Sequence, residues 1–234
     1  MTEAWPVLLL IVLALIAVAV LIWQAQQREK RRRAAYEALA ARRGLTYTLR
    51  PGRGGPTVIT FADPAQGLTL TVARSYSKTA NGKSRTTPGH TNVQMADPRL
   101  SGGIALYSPE LPAGVADAAS KVMGLFDNSL SKLVLGKLLG DDIGAYLGEL
   151  HDHPAPDGVA LTIMASTDPN LLFDARAIER ALSAIPAARN SERKNMVLIT
   201  ETGLQLRSGR DLRESAEIEQ FLDIAQTLQR DLRR

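Results

Sequence analysis

The amino-acid sequence predicts an α+β protein: one N-terminal transmembrane helix followed by antiparallel sheet with packed helices. Three observations predict it. Residues 7–22 form an unbroken apolar run without a charge or a hydrogen-bonding side chain. From Leu45 onward, short segments alternate apolar and polar residues between Asp-Pro, Asn-Gly and Gly-rich turns, which is the period of half-buried strands. Stretches over 112–139 and toward the C-terminus repeat apolar residues every three to four positions, the period of a helix packed on one side.

Trp5 and Pro6 stand before the run and Trp23 after it. A helix from Trp5 to Trp23 rises roughly 28 Å, close to the thickness of a bilayer's hydrocarbon core. The helix satisfies its own backbone polar groups, as lipid demands, and the tryptophans fall where interfacial aromatics belong. Before the run the only charged side chain is Glu3. After it come Arg28, Lys30, Arg31, Arg32 and Arg33, with Glu29 the one acid among them. Positive flanks remain in the cytoplasm, so the N-terminus is expected outside and the bulk of the chain inside. A cleaved signal peptide would carry its positive charge before the apolar run and a small-residue site after it; here the charges lie on the other side. A core helix this apolar, followed directly by an arginine cluster, is the other reading set aside.

Charge is concentrated at this flank. The formal net charge is +4. Residues 28–33 carry five basic side chains and one acid, and from Ala34 onward 23 Lys+Arg face 22 Asp+Glu. The expected partners are therefore the lipid bilayer and anionic headgroups at the five basic residues, together with a protein partner and no nucleic acid, which would call for a broad basic face with aromatics. Cysteine is absent, which excludes disulfides, thiolate nucleophiles and Cys-ligated metal centres. Abundant Ala and Arg with little Lys point to a GC-rich bacterial genome, hence to a bacterial inner membrane.

The sequence divides as follows: tail and transmembrane helix over 1–27, basic juxtamembrane helix over 28–44, antiparallel meander plus amphipathic helix over 45–140, linker over 141–158, and a strand–helix–hairpin–helix module over 159–234. Residues 28–43 lack breakers, with Tyr36, Leu39 and Ala40 as a modest apolar stripe and Gly44 as the natural stop. Leu45–Leu49 and Thr57–Phe61 read as strands. Between them the glycine-rich stretch 52–55 leads into a strand, not a helix, and lacks a Lys-Ser/Thr pair, so it reads as a loop and not a phosphate cradle.

Asp63-Pro64 and Asp97-Pro98 each mark a turn between strands, and Asn81-Gly82 marks a hairpin. The return over 85–95, polar and interrupted by Pro88-Gly89, reads as an edge-like strand or loop. The helix over 112–139 is expected in the core, or with its lysines toward headgroups at the bilayer surface. Beyond the linker come a strand at 159–165, a helix over 170–185 stopped by Pro186, a hairpin around 201–203, and a final helix with Ile218, Phe221, Leu222, Ala225, Leu228 and Leu232 on one face. Asp211 and Glu214 have capping-box spacing, with Asp211 in the N-cap role.

His151 and His153 are the candidate metal ligands. Two apart in an extended segment, they point the same way and could meet one ion with Asp152 or Glu149. An exposed polar linker is the favoured reading of the pair, and His90 has no spacing that brings it near. Ser-x-x-Lys occurs at Ser75/Lys78, Ser129/Lys132 and Ser191/Lys194, three unrelated settings without the companion tripeptides of the serine–lysine enzymes. Asp141, Asp142 and Glu149 form the densest acidic group and read as a solvated helix end. No catalytic residue and no cofactor is assigned.

The layout resembles uncharacterised bacterial single-pass membrane-anchored proteins. The likeness rests on Leu39-Ala40-Ala41-Arg42-Arg43-Gly44 closing the basic helix, on Ser166-Thr167-Asp168-Pro169 after a strand, and on the hairpin and helix over 196–234. It implies no activity and supplies no site residues. The expected function is a membrane-tethered cytoplasmic interaction or scaffold domain without catalytic activity; the alternative is a membrane-anchored hydrolase, metal-dependent through His151 and His153.

Overall fold

The computed structural model describes residues 4–52, 55–80, 83–97, 100, 104–109, 150–167, 173–186, 195–200 and 203–232. Two compact units result, Met1–Gly44 and Leu45–Arg234.

The first is a single helix, α1 (Ala4–Arg43), unbroken from the apolar run through the basic collar. Gly44 ends it with φ 66°, the left-handed conformation that a glycine adopts without strain, and its N–H reaches the Ala41 carbonyl. Side chains are described from Leu13 onward, and Leu13, Leu15, Ile16, Val18, Val20, Leu21, Ile22 and Trp23 are exposed by 45–65%. Among the described residues, no helix is long and apolar enough to cross a membrane.

The second unit contains eleven strands among the described residues: β1 (Thr46–Arg50), β2 (Val58–Asp63), β3 (Leu68–Ala73), β4 (Tyr76–Ala80), β5 (Lys83–Thr87), β6 (His90–Ala96), β7 (Ala105–Pro109), β8 (His151–His153), β9 (Leu161–Ala165), β10 (Met196–Thr200) and β11 (Gly203–Ser208). Two helices accompany them, α2 (Ala175–Ala184) and α3 (Ser215–Asp231). Nine strands make one antiparallel sheet in the order β1-β2-β3-β6-β11-β10-β7-β9-β8, while β4 and β5 pair only with each other. The turn at Asp63 follows its sequence signal: the carboxylate accepts the N–H groups of Ala65 and Gln66. The predicted turn at Asn81-Gly82 lies outside the described residues, but Ala80 pairs with Lys83 on either side of it.

Strand register explains why one face is the core. Tyr47, Phe61, Leu70, Val93, Leu206, Val197, Tyr107, Ile163 and His153 stand opposite one another in a row across all nine strands. Six of these, Phe61, Leu70, Val93, Leu206, Val197 and Ile163, are apolar aliphatic or phenyl side chains at 0–1% exposure. Both C-terminal helices lie on this inner face. Helix α3 stands over Leu68 and Met95, and α2 packs on α3, β7 and β10. The apolar side of α3 is the one its period indicates, with Ile218, Phe221, Leu222, Ala225 and Leu228 buried.

Thr91, opposite the equally buried Ser208, is a polar residue on the inner face. Fully buried, its hydroxyl donates to the Arg210 carbonyl at 2.8 Å and accepts the Leu212 N–H at 3.0 Å. It thereby ties β6 to the segment that enters α3.

The structure departs from the sequence expectations in four places. The return strand is not an edge: Pro88-Gly89 separates β5 from β6, and β6 pairs on both sides, with β3 and β11. The sheet does not divide at 141–158, expected as a linker. Strands β6 and β7 from the first half pair with β11 and β10 from the second, and β8 lies within the segment itself. Such pairing between distant stretches leaves no local compositional trace. Finally, Asp211 does not cap the last helix. Glu214 takes the N-cap position, and Glu217 reaches back to accept its N–H at 3.3 Å. Asp211 instead holds the Arg213 guanidinium at 3.0 Å. The helix expected over 170–185 begins at Ala175, capped by Asp174, whose carboxylate accepts from Arg176 and Ala177. The amphipathic stretch 112–139 and the acids Asp141, Asp142 and Glu149 lie outside the described residues.

Close approach fixes Gly203. A Cβ at Gly203 would collide with the backbone carbonyl oxygen of Met95, directly across the β11–β6 pair. Both strands are held on their far sides, so neither can recede. Gly203→Val is expected to destabilise the fold by about 2–3 kcal/mol, read as a lowered denaturation midpoint in mild detergent. An unchanged midpoint would show the two strands free to separate.

Candidate binding face and basic collar

The candidate metal ligands sit at the rim of the sheet. On edge strand β8, His151 pairs with Ala165 and His153 with Ile163, so both fall on the inner face, as their spacing predicts. Asp152, between them, pairs with Met164 and falls on the opposite face. It therefore cannot join the two imidazoles at one ion. His90 on β6 is five strands away, roughly 24 Å at the usual inter-strand spacing, and also on the opposite face. Among the described residues, no group of three or more His, Asp or Glu is placed to hold a metal ion. Glu149 lies outside those residues. Of the Ser-x-x-Lys pairs only Ser75/Lys78 is described. The Ser75 N–H contacts the Asp211 carboxylate, and Lys78 stands exposed on β4.

The collar has the geometry of a girdle. At ~100° per residue, Arg28, Lys30, Arg31, Arg32 and Arg33 fan around the whole circumference of α1 instead of lining one side. Arg28, Lys30, Arg31 and Arg33 are exposed, and Arg33 pairs with Glu29 one turn earlier at 3.5 Å. Such a ring suits a helix surrounded by the same medium on all sides.

The outer face of the sheet is chemically divided. Toward β9 it is apolar, with Leu106, Leu150, Met164, Met196 and Leu198 in one buried cluster. Toward β1 it is polar. Thr48, Thr60, Thr71, Asn92 and Arg207 stand opposite one another across five strands, and Thr46, Ala62, Thr69, Gln94 and Gln205 form the next row. Strand spacing sets these hydroxyls and amides roughly 4.8 Å apart. Most are half-buried or exposed. Arg207, at the end of its row, is only 2% exposed, and beside it the side-chain oxygen of Asn92 is buried without a hydrogen-bond partner among the described residues.

A buried amide oxygen in that position costs about 1–3 kcal/mol when unsatisfied. The exposed donors and acceptors of these rows, Thr46, Thr48 and Gln94, suit contact with a polar, hydrogen-bonding surface. Sequence reasoning passed over Arg207 and Asn92. The signal was present in the alternation Leu204-Gln205-Leu206-Arg207, which puts both polar residues on one face.

The helices enclose a further groove of about 320 Å³ between α2 and α3, spanned by Arg180 and Asp231 at 3.9 Å. No family model, curated protein or solved structure matches the chain.

Proposed function

We propose that this protein is a single-pass, membrane-tethered interaction domain of a bacterial inner membrane, with its N-terminus outside and Leu45–Arg234 in the cytoplasm. One observation carries the reading: α1 is a continuous helix whose described apolar side chains, Leu13 to Trp23, stand open to their surroundings. Eight large apolar side chains left in water would forgo of the order of 10 kcal/mol. Lipid removes that cost, and the charged ring that follows on the same helix suits the boundary with water. Anionic headgroups around the ring would add about 1 kcal/mol per basic residue near the surface. The exposed part of the polar outer face, with Thr46, Thr48 and Gln94, is the surface this reading assigns to a protein partner.

The natural absence of cysteine makes the topology test clean. Single cysteines are introduced by Glu3→Cys and by Ser77→Cys, both in the full chain. A membrane-impermeant maleimide is expected to label the first in spheroplasts and the second only after lysis, with the protein staying in the membrane pellet through carbonate extraction. Labelling of Ser77→Cys in sealed spheroplasts, or release by carbonate, would overturn the proposal.

A further inference from the structure

One stripe of α3 advances by alternate steps of four and three residues through Ile218, Leu222, Ala225, Gln229 and Leu232. The four apolar members are at most 3% exposed. Gln229 is the polar one, and an amide at a core-facing position needs a partner. Its Nε2 donates to the Asp97 carboxylate at 3.2 Å, and Asp97 is itself only 2% exposed. An ionised carboxylate can only accept, so this bond fixes which way the amide points and leaves its Oε1 as an acceptor. Here the helix does not close on the sheet. A recess of about 350 Å³ lies between them, within the range of about 300–1,000 Å³ usual for small-molecule sites. Leu68 and Met95, directly opposite each other on β3 and β6, give it an apolar floor. Gln66, from the turn between β2 and β3, and Gln226, Gln229 and Arg230 of α3 line the rest. Arg230 is exposed, at the rim. Its Nε reaches the Gln226 backbone carbonyl at 3.4 Å and its Nη2 the Thr227 hydroxyl at 3.0 Å, which holds the guanidinium to its own helix with further N–H groups to give.

We propose that this recess binds a small carboxylate that carries an adjacent amide N–H and a short apolar side chain. That is the chemistry of an N-acylated amino acid, free or as the last residue of a polypeptide. The carboxylate takes the Arg230 guanidinium, a charge-assisted pair. The amide N–H donates to Gln229 Oε1, and the apolar side chain covers Leu68 and Met95. Gln66 and Gln226, each both donor and acceptor, serve the acyl carbonyl. One guanidinium, with the Asp97 carboxylate held behind Gln229, is a poor match for a dianion such as phosphate. A sugar would call for an aromatic ring to stack on, and none lines the recess. The inference does not depend on the membrane reading, since every residue it uses lies within Leu45–Arg234.

Met95 supplies a reporter inside the recess. The full chain is labelled with carbon-13 at its methionine methyl groups and studied by NMR in mild detergent, with the Met95 signal identified by its loss in Met95→Leu. N-acetyl-leucine is expected to shift that signal saturably and to leave Met164 and Met196, in the outer-face cluster, unmoved. N-acetyl-leucinamide, the same size without the negative charge, is expected to bind about tenfold more weakly or worse. Arg230→Gln should weaken the acid by a similar factor while keeping the wild-type methyl spectrum, because the position is exposed and outside the buried stripe. Acetyl-diglycyl-leucine identifies the source. Binding at least tenfold tighter than the free acid supports a polypeptide C-terminus, and binding no tighter supports the free acid. Equal binding of acid and amide to the wild-type chain overturns the proposal without recourse to any variant. So does a Met95 signal that neither the acid nor the peptide moves, and so does inorganic phosphate that displaces the acid at equal concentration.

Discussion

Replacing Leu15 and Val18 together by arginine is expected to move the protein from the membrane fraction to the supernatant. Both positions lie in the middle of the apolar run, and both side chains are more than half exposed on α1. At the centre of a span each arginine costs about 2.5–3.5 kcal/mol and forfeits the gain of the residue it replaces. The pair therefore shifts insertion by at least 5 kcal/mol, on the order of 10⁴-fold. Snorkelling lessens the cost near the ends of a span but offers little at its middle. The control, Leu15→Ala with Val18→Ala, keeps the run apolar and is expected to remain in the carbonate-resistant pellet. If the arginine variant pellets as wild type does, α1 does not reside in lipid and the proposed function falls with it.

Phe61→Ala is the second large effect. Phe61 is fully buried in the inner row, between Tyr47 on β1 and Leu70 on β3, with the Tyr47 ring at 5.5 Å. Truncating a buried phenylalanine removes its transfer energy and leaves a cavity, together about 3–5 kcal/mol. Domains of this size have total stabilities of about 5–15 kcal/mol, so the loss is a large share of the whole. The measurement is urea denaturation in mild detergent followed by circular dichroism. Tryptophan emission would miss the transition, because both tryptophans, Trp5 and Trp23, lie in α1. A loss below about 1 kcal/mol would mean that the inner row is not closely packed. Membrane association should be unchanged in this variant, which separates the two predictions.

Local features of this fold were legible in the sequence where the chain's own period carried the information. Leu68, Leu70 and Val72 alternate with threonine and become the inner side of β3. Ile218, Phe221, Leu222, Ala225 and Leu228 recur at helical spacing and are buried on α3. Gly44 marks the end of α1, and the Asp63 turn was visible from two residues. What could not be read was any property created by pairing at a distance. Nothing near Pro88 announces that β6 will receive β11, because the residues that make it an interior strand lie beyond position 200. The same limit hid the outer polar row: Asn92 and Arg207 are neighbours only through that pairing. The helix caps show a finer version of the problem. Two acids stood at suitable spacing, Asp211 and Glu214, and the choice between them was settled by Glu217, which serves as the third residue of the helix, and by Arg213, which occupies Asp211.

The sheet's strand order also dictates a timetable. The Thr91–Arg210 hydrogen bond joins positions 119 residues apart, and β6 acquires its second neighbour only when β11 has been made. During synthesis β1, β2, β3 and β6 can assemble as a half-sheet, but its open border must wait until Gly203–Ser208 has left the ribosome. Topologies of this kind mature slowly and leave hydrogen-bonding edges bare in the meantime. On the membrane reading proposed above, a nascent chain held at the bilayer by α1 would pass that waiting period fixed in place and spaced from its siblings.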